Sequence, residues 1–152
     1  MELEIAIGQQ NRKYIGSKVA LLAFISSAVE EVVGSSLSSS SFLDLFAGTG
    51  VVAGAFMGKA GKVLANDFLY SNYVANRAFL CTTLENADLK KLEALIGELN
   101  TLEGENGYLS ENYGNTYFTL ENAQRIQAVR ERIEKWQQEK LLTSQEYYLL
   151  LT

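Results

Sequence analysis

The chain has 152 residues, a net charge of -5, no histidine, no proline and one cysteine. That length suits one domain, and 47% hydrophobic with 20% charged residues describes a soluble globular chain with a core, not a disordered or collagen-like one. Without histidine there is no triad using an imidazole base, no ordinary zinc site and no imidazole pH switch; Cys81, without a partner for an internal disulfide, is expected as a small, half-buried apolar residue.

Taken in chain order, Leu22, Ile25, Val29 and Val32 recur at helical spacing and predict a helix from Ser17 to about Val33. Gly34 follows where a helix end favours a residue tolerant of positive φ. No signal peptide is evident, and the apolar run Val19 to Phe24 is far short of the about 20 residues a membrane helix needs. A reducing cytoplasm and no membrane are therefore expected. Ser35 to Ser41, broken only by Leu37, reads as a mobile polar connector. Two apolar segments follow, Phe42 to Phe46 and Lys62 to Asn66, separated by a glycine-rich turn and a short helix over Val51 to Met57. Strand, turn, helix and strand make a parallel unit of the doubly wound type.

After Asp67 the pattern turns helical. Leu84, Leu92, Leu95, Leu99 and Leu102 mark one amphipathic helix, and Ala123, Ile126, Val129, Ile133 and Trp136 mark another, N-capped by Thr119 with Glu121 near its positive end. A Gly/Asn/Tyr-rich loop is expected between them, from Glu103 to Tyr117. Thr143 and Glu146 have the spacing of a capping box, opening a short apolar helix that has nowhere evident to bury itself and gives the chain a cut end. Residues 1 to 80 form the expected α/β portion and residues 81 to 152 the helical one. The first carries six basic and six acidic side chains, the second seven and twelve. Phosphate contacts need cations, so any nucleic-acid contact falls to Arg12, Lys13 and Lys18.

The chemistry concentrates in Phe42-Leu-Asp44-Leu-Phe46-Ala-Gly48-Thr-Gly50, expected as a buried strand opening into a tight turn. Glycines there let a ligand approach the main chain, with the free amides of the following helix turned toward it. Gly48-Thr-Gly50-Val-Val-Ala53 satisfies the dinucleotide pattern G-x-G-x-x-A, and Asp67, 19 residues after Gly48, suits an acid that holds ribose hydroxyls. Asp44 argues for a different ligand, because a carboxylate beside the turn repels a pyrophosphate and pairs with an ammonium. S-adenosylmethionine offers that ammonium with an adenosine and no phosphate.

Three blocks in order, Lys13-Tyr14-Ile15-Gly16-Ser17-Lys18, Asp44 to Gly50, and Ala65-Asn66-Asp67-Phe68-Leu69-Tyr70, resemble the Dam-like adenine-specific DNA methyltransferases of the Asp-x-Phe-x-Gly-x-Gly group. Asn112-Tyr113 through Tyr117-Phe118-Thr119-x-Glu121-Asn122-Ala123, with Arg130 in the next helix, extends the resemblance over nearly the whole chain. It implies a partial Rossmann-like S-adenosylmethionine-dependent methyltransferase fold of few parallel strands with a helical C-terminal segment. Tyr14, Gly16 and Lys18 would close over the methionine end of the cofactor, and Asp44 with the backbone of Phe46, Gly48 and Gly50 would line its amino-acid part. Asp67 would hold the ribose, and Phe68 would cover the adenine.

The resemblance breaks at one place. Such enzymes carry an Asp/Asn-Pro-Pro-Tyr block that receives the flipped adenine, and a chain without proline cannot contain it. No catalytic residue is therefore assigned. The strand bearing that block would lie beside Phe42 to Phe46, whose open edge is expected to pair with a complementing polypeptide or with a second copy. Three readings stay open: the cofactor-binding part of an adenine-specific DNA methyltransferase, a nonenzymatic S-adenosylmethionine-binding regulator, and a small nicotinamide-dinucleotide domain.

Overall fold

The structure is a computed structural model that describes residues 18 to 83 and 85 to 152. Tyr14, Gly16, Arg12, Lys13, Ser17 and Leu84 lie outside the described residues. The chain divides into two compact units, Met1–Thr82 and Thr83–Thr152.

In the first unit a 3-10 turn, Val19–Leu21, leads into α1, Leu22–Val33. Gly34 ends the helix at φ 56, as its position predicts. The serine run is not the connector expected. It forms a 3-10 helix, Gly34–Ser39, because its hydroxyls fold back onto the preceding turn: Ser36 Oγ donates to the Val33 carbonyl at 2.6 Å and Ser40 Oγ to that of Ser36 at 2.7 Å. Leu37, the one apolar residue of the run, is buried and anchors it.

Strands β1, Ser41–Asp44, and β2, Lys62–Ala65, pair in parallel with Ser41 opposite Lys62 and Asp44 opposite Ala65. The segment joining them holds α2, Val51–Phe56, as the turn-helix-strand pattern predicts. Phe56 is fully buried, and the Phe42 ring stacks on it at 3.9 Å between centroids. The first strand is nevertheless not the buried one expected, since Leu43 and Leu45 are each more than half exposed. Among the described residues the sheet has these two strands alone, so β1 keeps one unpaired edge and its faces stay partly open. Parallel sheets are normally covered on both faces.

Helix α3, Tyr70–Leu80, follows β2 where the pattern turns helical after Asp67, although no apolar periodicity marked it. Its buried face is Asn72, Val74, Ala75, Asn76 and Ala78, small and polar where an amphipathic helix usually presents leucine. Cys81 stands just past its end and is exposed, not half-buried. In α1 no residue is buried. With the flanking 3-10 segments, Val19–Ser39 is also long and apolar enough to cross a membrane, at 21 residues and mean hydropathy 1.5, which corrects the estimate made from the run Val19 to Phe24. Core helices of soluble proteins, which are mostly buried as this segment is not, and signal sequences near an N-terminus meet the same criterion.

The second unit is helical. Asp88 caps α4, Leu89–Asn100, accepting the amides of Lys90 and Lys91. The expected loop contains a short helix, α5, Tyr108–Tyr113. Thr119 caps α6, Leu120–Gln138, through the Asn122 amide, as its position predicts. Helix α7, Ser144–Leu150, opens on the expected capping box, with Thr143 Oγ1 accepting from the Glu146 amide and Glu146 Oε2 from the Thr143 amide. Far from lacking a place to bury, α7 lays Tyr147, Leu150 and Leu151 against a core of Leu95, Leu99, Ile133, Trp136 and Leu142. Leu102, beyond the end of α4, packs there too.

Candidate functional site

The two parallel strands deliver Asp44 and the loop carrying Asp67 to the same end of the sheet. Asp44 closes β1 opposite Ala65, and the Asn66 amide donates to the Asp44 carbonyl at 2.8 Å. The Ala47 amide returns a bond to the Asn66 carbonyl at 2.8 Å, which extends the pairing past the strands into the loops. Ligands of open parallel sheets gather at this carboxyl end.

The glycine turn is shaped by two left-handed residues, Gly48 at φ 55 and Gly50 at φ 81. A Cβ at either would be strained, and the turn closes through the Gly50 amide onto the Ala47 carbonyl at 2.8 Å. Thr49 between them is buried. The Asp44 carboxylate reaches across to the Ala53 amide in the first turn of α2, at 3.2 Å from Oδ2. Burial pushes the Asp44 carboxyl above its ordinary value. Hydrogen bonds from the Ala53 and Phe46 amides and the charge of Lys18 pull it partly back, and Asp67 adds to the push.

Asp67 accepts from the Gly48 amide at 2.7 Å through Oδ2, and from the Leu69 amide and the Asn72 side chain at 2.9 Å each through Oδ1. These donors, Asn72 foremost, hold its carboxyl below the usual range despite the opposing desolvation. Thus Lys18, Asp44, Gly48 and Asp67 act on one another within a single small region, with Gly50 in the same turn. The rings of Phe46 and Phe68 are 81% and 97% exposed, so neither is a core residue and both are free to meet a ligand or another surface. Asn72 and Asn76 are not among the residues singled out from the sequence; the latter donates from Nδ2 to the Gly48 carbonyl at 3.3 Å. The signal that could have found them is a pair of asparagines four apart, the first of them five residues after the acid.

A model of the D12 class N6 adenine-specific DNA methyltransferases matches residues 14 to 152. The chain belongs to that family. Type II methyltransferase M.NlaIII of Neisseria lactamica is 35% identical over 144 residues, 91% of this chain and 42% of its own length. Modification methylase StsI of Streptococcus sanguinis is 36% identical over 151 residues, 92% of this chain and 23% of its own length. Type II methyltransferase M.FokI of Planomicrobium okeanokoites is 36% identical over 153 residues, again 23% of its length. The chain thus spans less than half the length of each of these relatives. No solved structure matches the chain significantly.

Proposed function

We propose that these 152 residues are the amino-terminal, cofactor-binding part of an adenine-specific DNA methyltransferase. The observation that supports this most is the meeting of Asp44, the Gly48/Gly50 turn and Asp67 at the carboxyl end of β1 and β2. Two carboxylates in one small region suit a ligand with an ammonium and hydroxyls, and they oppose a pyrophosphate. Asp44 then meets the amino group of S-adenosylmethionine, the Phe46, Gly48 and Gly50 backbone lines its amino-acid part, and Lys18, with Tyr14 and Gly16, closes the methionine end. Asp67 meets the ribose hydroxyls, and the exposed Phe68 ring covers the adenine. When bound, S-adenosylmethionine supplies an activated sulfonium methyl.

This chain's share of the reaction is alignment, because methyl transfer to the exocyclic amino group needs no protein nucleophile. The block that receives the adenine, Asp/Asn-Pro-Pro-Tyr, is not in a proline-free chain and belongs to the rest of the enzyme. The family points to DNA as the substrate of that complete enzyme. The second unit does not favour DNA as its own partner, because its seven basic side chains stand against twelve acidic ones and several of them are paired: Arg130 with Glu134 at 2.7 Å, Arg132 with Glu98, and Lys91 with Glu146. The edge of β1 left unpaired among the described residues supports a complementing polypeptide or a second copy as partner. The working compartment under this reading is the cytoplasm.

The alternative, a nonenzymatic S-adenosylmethionine-binding subunit, draws on that same missing block and shares every cofactor contact. Equilibrium dialysis of the chain against methyl-labelled S-adenosylmethionine tests the ligand. Bound label should be displaced by S-adenosylhomocysteine and untouched by NAD. Displacement by NAD at comparable concentration would instead mark a dinucleotide site.

A further inference from the structure

Helix α3 turns one face toward both halves of the site. Asn72 and Asn76, four residues apart, lie on that face and are 5% and 7% exposed. Asn72 Nδ2 donates to Asp67 Oδ1 at 2.9 Å, and Asn76 Nδ2 donates to the Gly48 carbonyl at 3.3 Å. Gly48 and Asp67 are themselves joined by the 2.7 Å bond from the Gly48 amide to Oδ2. A closed circuit results: helix to acid, acid to glycine turn, glycine turn back to helix.

Stability alone gives no reason for Asn76. Asparagine is a poor helix former, and burying its amide costs free energy unless every polar atom is matched. Asn76 is not fully matched, since its Oδ1 is buried without a hydrogen-bond partner. An alanine there would remove the orphaned acceptor and suit the helix better. What the asparagine does provide is a fixed position for the Gly48 peptide, while Asn72 fixes the carboxylate that Gly48 also holds.

We propose that Asn72 and Asn76 are positioning residues that hold the glycine turn and the Asp67 carboxylate as one platform, and so set the affinity for S-adenosylmethionine more than the stability of the chain. The inference rests on the cofactor reading above. Neither side chain is assigned a contact with the reacting atoms. Their effect passes through Gly48 and Asp67, whose groups are held ready before the ligand arrives, which lowers the ordering cost of binding.

The test is a calorimetric titration of the 152-residue chain and its Asn72→Ala, Asn76→Ala and Asn72→Asp variants with S-adenosylmethionine. Thermal unfolding and the amide resonance of Gly48 are followed in parallel. Each alanine variant should bind about tenfold more weakly, with the Asn76→Ala midpoint unchanged or higher. The Gly48 amide should shift in Asn72→Ala as its carboxylate partner loosens. Asn72→Asp, which sets a second carboxylate against Asp67, should bind more weakly still. Alanine variants that match the unaltered chain in affinity would overturn this inference and leave the cofactor reading intact, as would a loss of affinity that merely follows a fall in midpoint. An unaltered chain that takes up no S-adenosylmethionine would overturn both.

Discussion

Asp44 and Asp67 share one end of the sheet, yet the first carboxyl is pushed above its ordinary value and the second held below it. Burial raises the Asp44 carboxyl, so its contribution to stability is full below the ordinary aspartate value, about 3.9, and is lost as pH rises through the raised folded value. At neutral pH the ionised side chain is therefore a burden on the ligand-free fold. Asp44→Asn should leave the thermal midpoint unchanged or raise it, because the amide oxygen can still accept from Ala53. The same substitution should abolish S-adenosylmethionine binding in a titration, since a neutral amide cannot pair with an ammonium. Asp67 has the opposite sign. Its carboxyl is lowered by Asn72 and the Leu69 amide, so its contribution is present above about 3.9 and disappears as pH falls through the lower folded value. Carboxyl resonances followed through an acid titration should show Asp44 protonating first.

Among the elements, α4 and α7 are clamped at their N-termini by one buried carboxylate. Glu146 is 2% exposed; it accepts from Lys91 Nζ at 2.7 Å, the Thr143 amide at 2.8 Å and the Asp88 amide at 3.2 Å. Burial pushes its carboxyl up, yet these donors outweigh burial and hold it below the usual range. Lys91→Met leaves that charge with its two amides and no counter-ion, and should cost about 1–3 kcal/mol. Urea unfolding followed by Trp136 fluorescence reads this directly, because Trp136 is the single tryptophan and sits in the core that α7 covers. In the unaltered chain the clamp contributes fully above the ordinary glutamate value, about 4.3, and weakens as pH falls through the lower folded one. Elements of this kind were legible in the sequence: the Thr143/Glu146 spacing and the leucine periodicity of α4 state them outright. Helix α3 was less so, because its buried face is alanine and asparagine with a single valine, so hydrophobic periodicity barely registers there. Helix α5 is too short to show a period inside a glycine- and asparagine-rich stretch, and the serine 3-10 helix depends on hydroxyl-to-carbonyl bonds that no apolar pattern reports. The site divides the same way. Asp44, the glycines and Asp67 follow from spacing, whereas Asn72 and Asn76 become visible only once α3 is folded against the turn.

For the whole molecule, the decisive feature is apolar surface left uncovered in the first unit. Leu43, Leu45 and Leu64 of the strand region are 40 to 54% exposed, Val32 of α1 is 85% exposed, and β1 has an unpaired edge among the described residues. Open edges and apolar faces of this kind drive association. Light scattering over a concentration series should show mass rising above that of one 16.8 kDa chain. A constant single-chain mass at high concentration would mean that the edge is protected in solution. Charged substitutions at Leu43 and Leu64 should suppress the association without weakening the second unit, whose core is separate.

The most direct measurement of the central claim is calorimetry of the 152-residue chain with S-adenosylmethionine, with Asp44→Ala as control. The account predicts saturable micromolar binding that the substitution removes while the circular dichroism spectrum is kept. A folded chain that binds nothing, or an Asp44→Ala variant that binds as well as its parent, would contradict it.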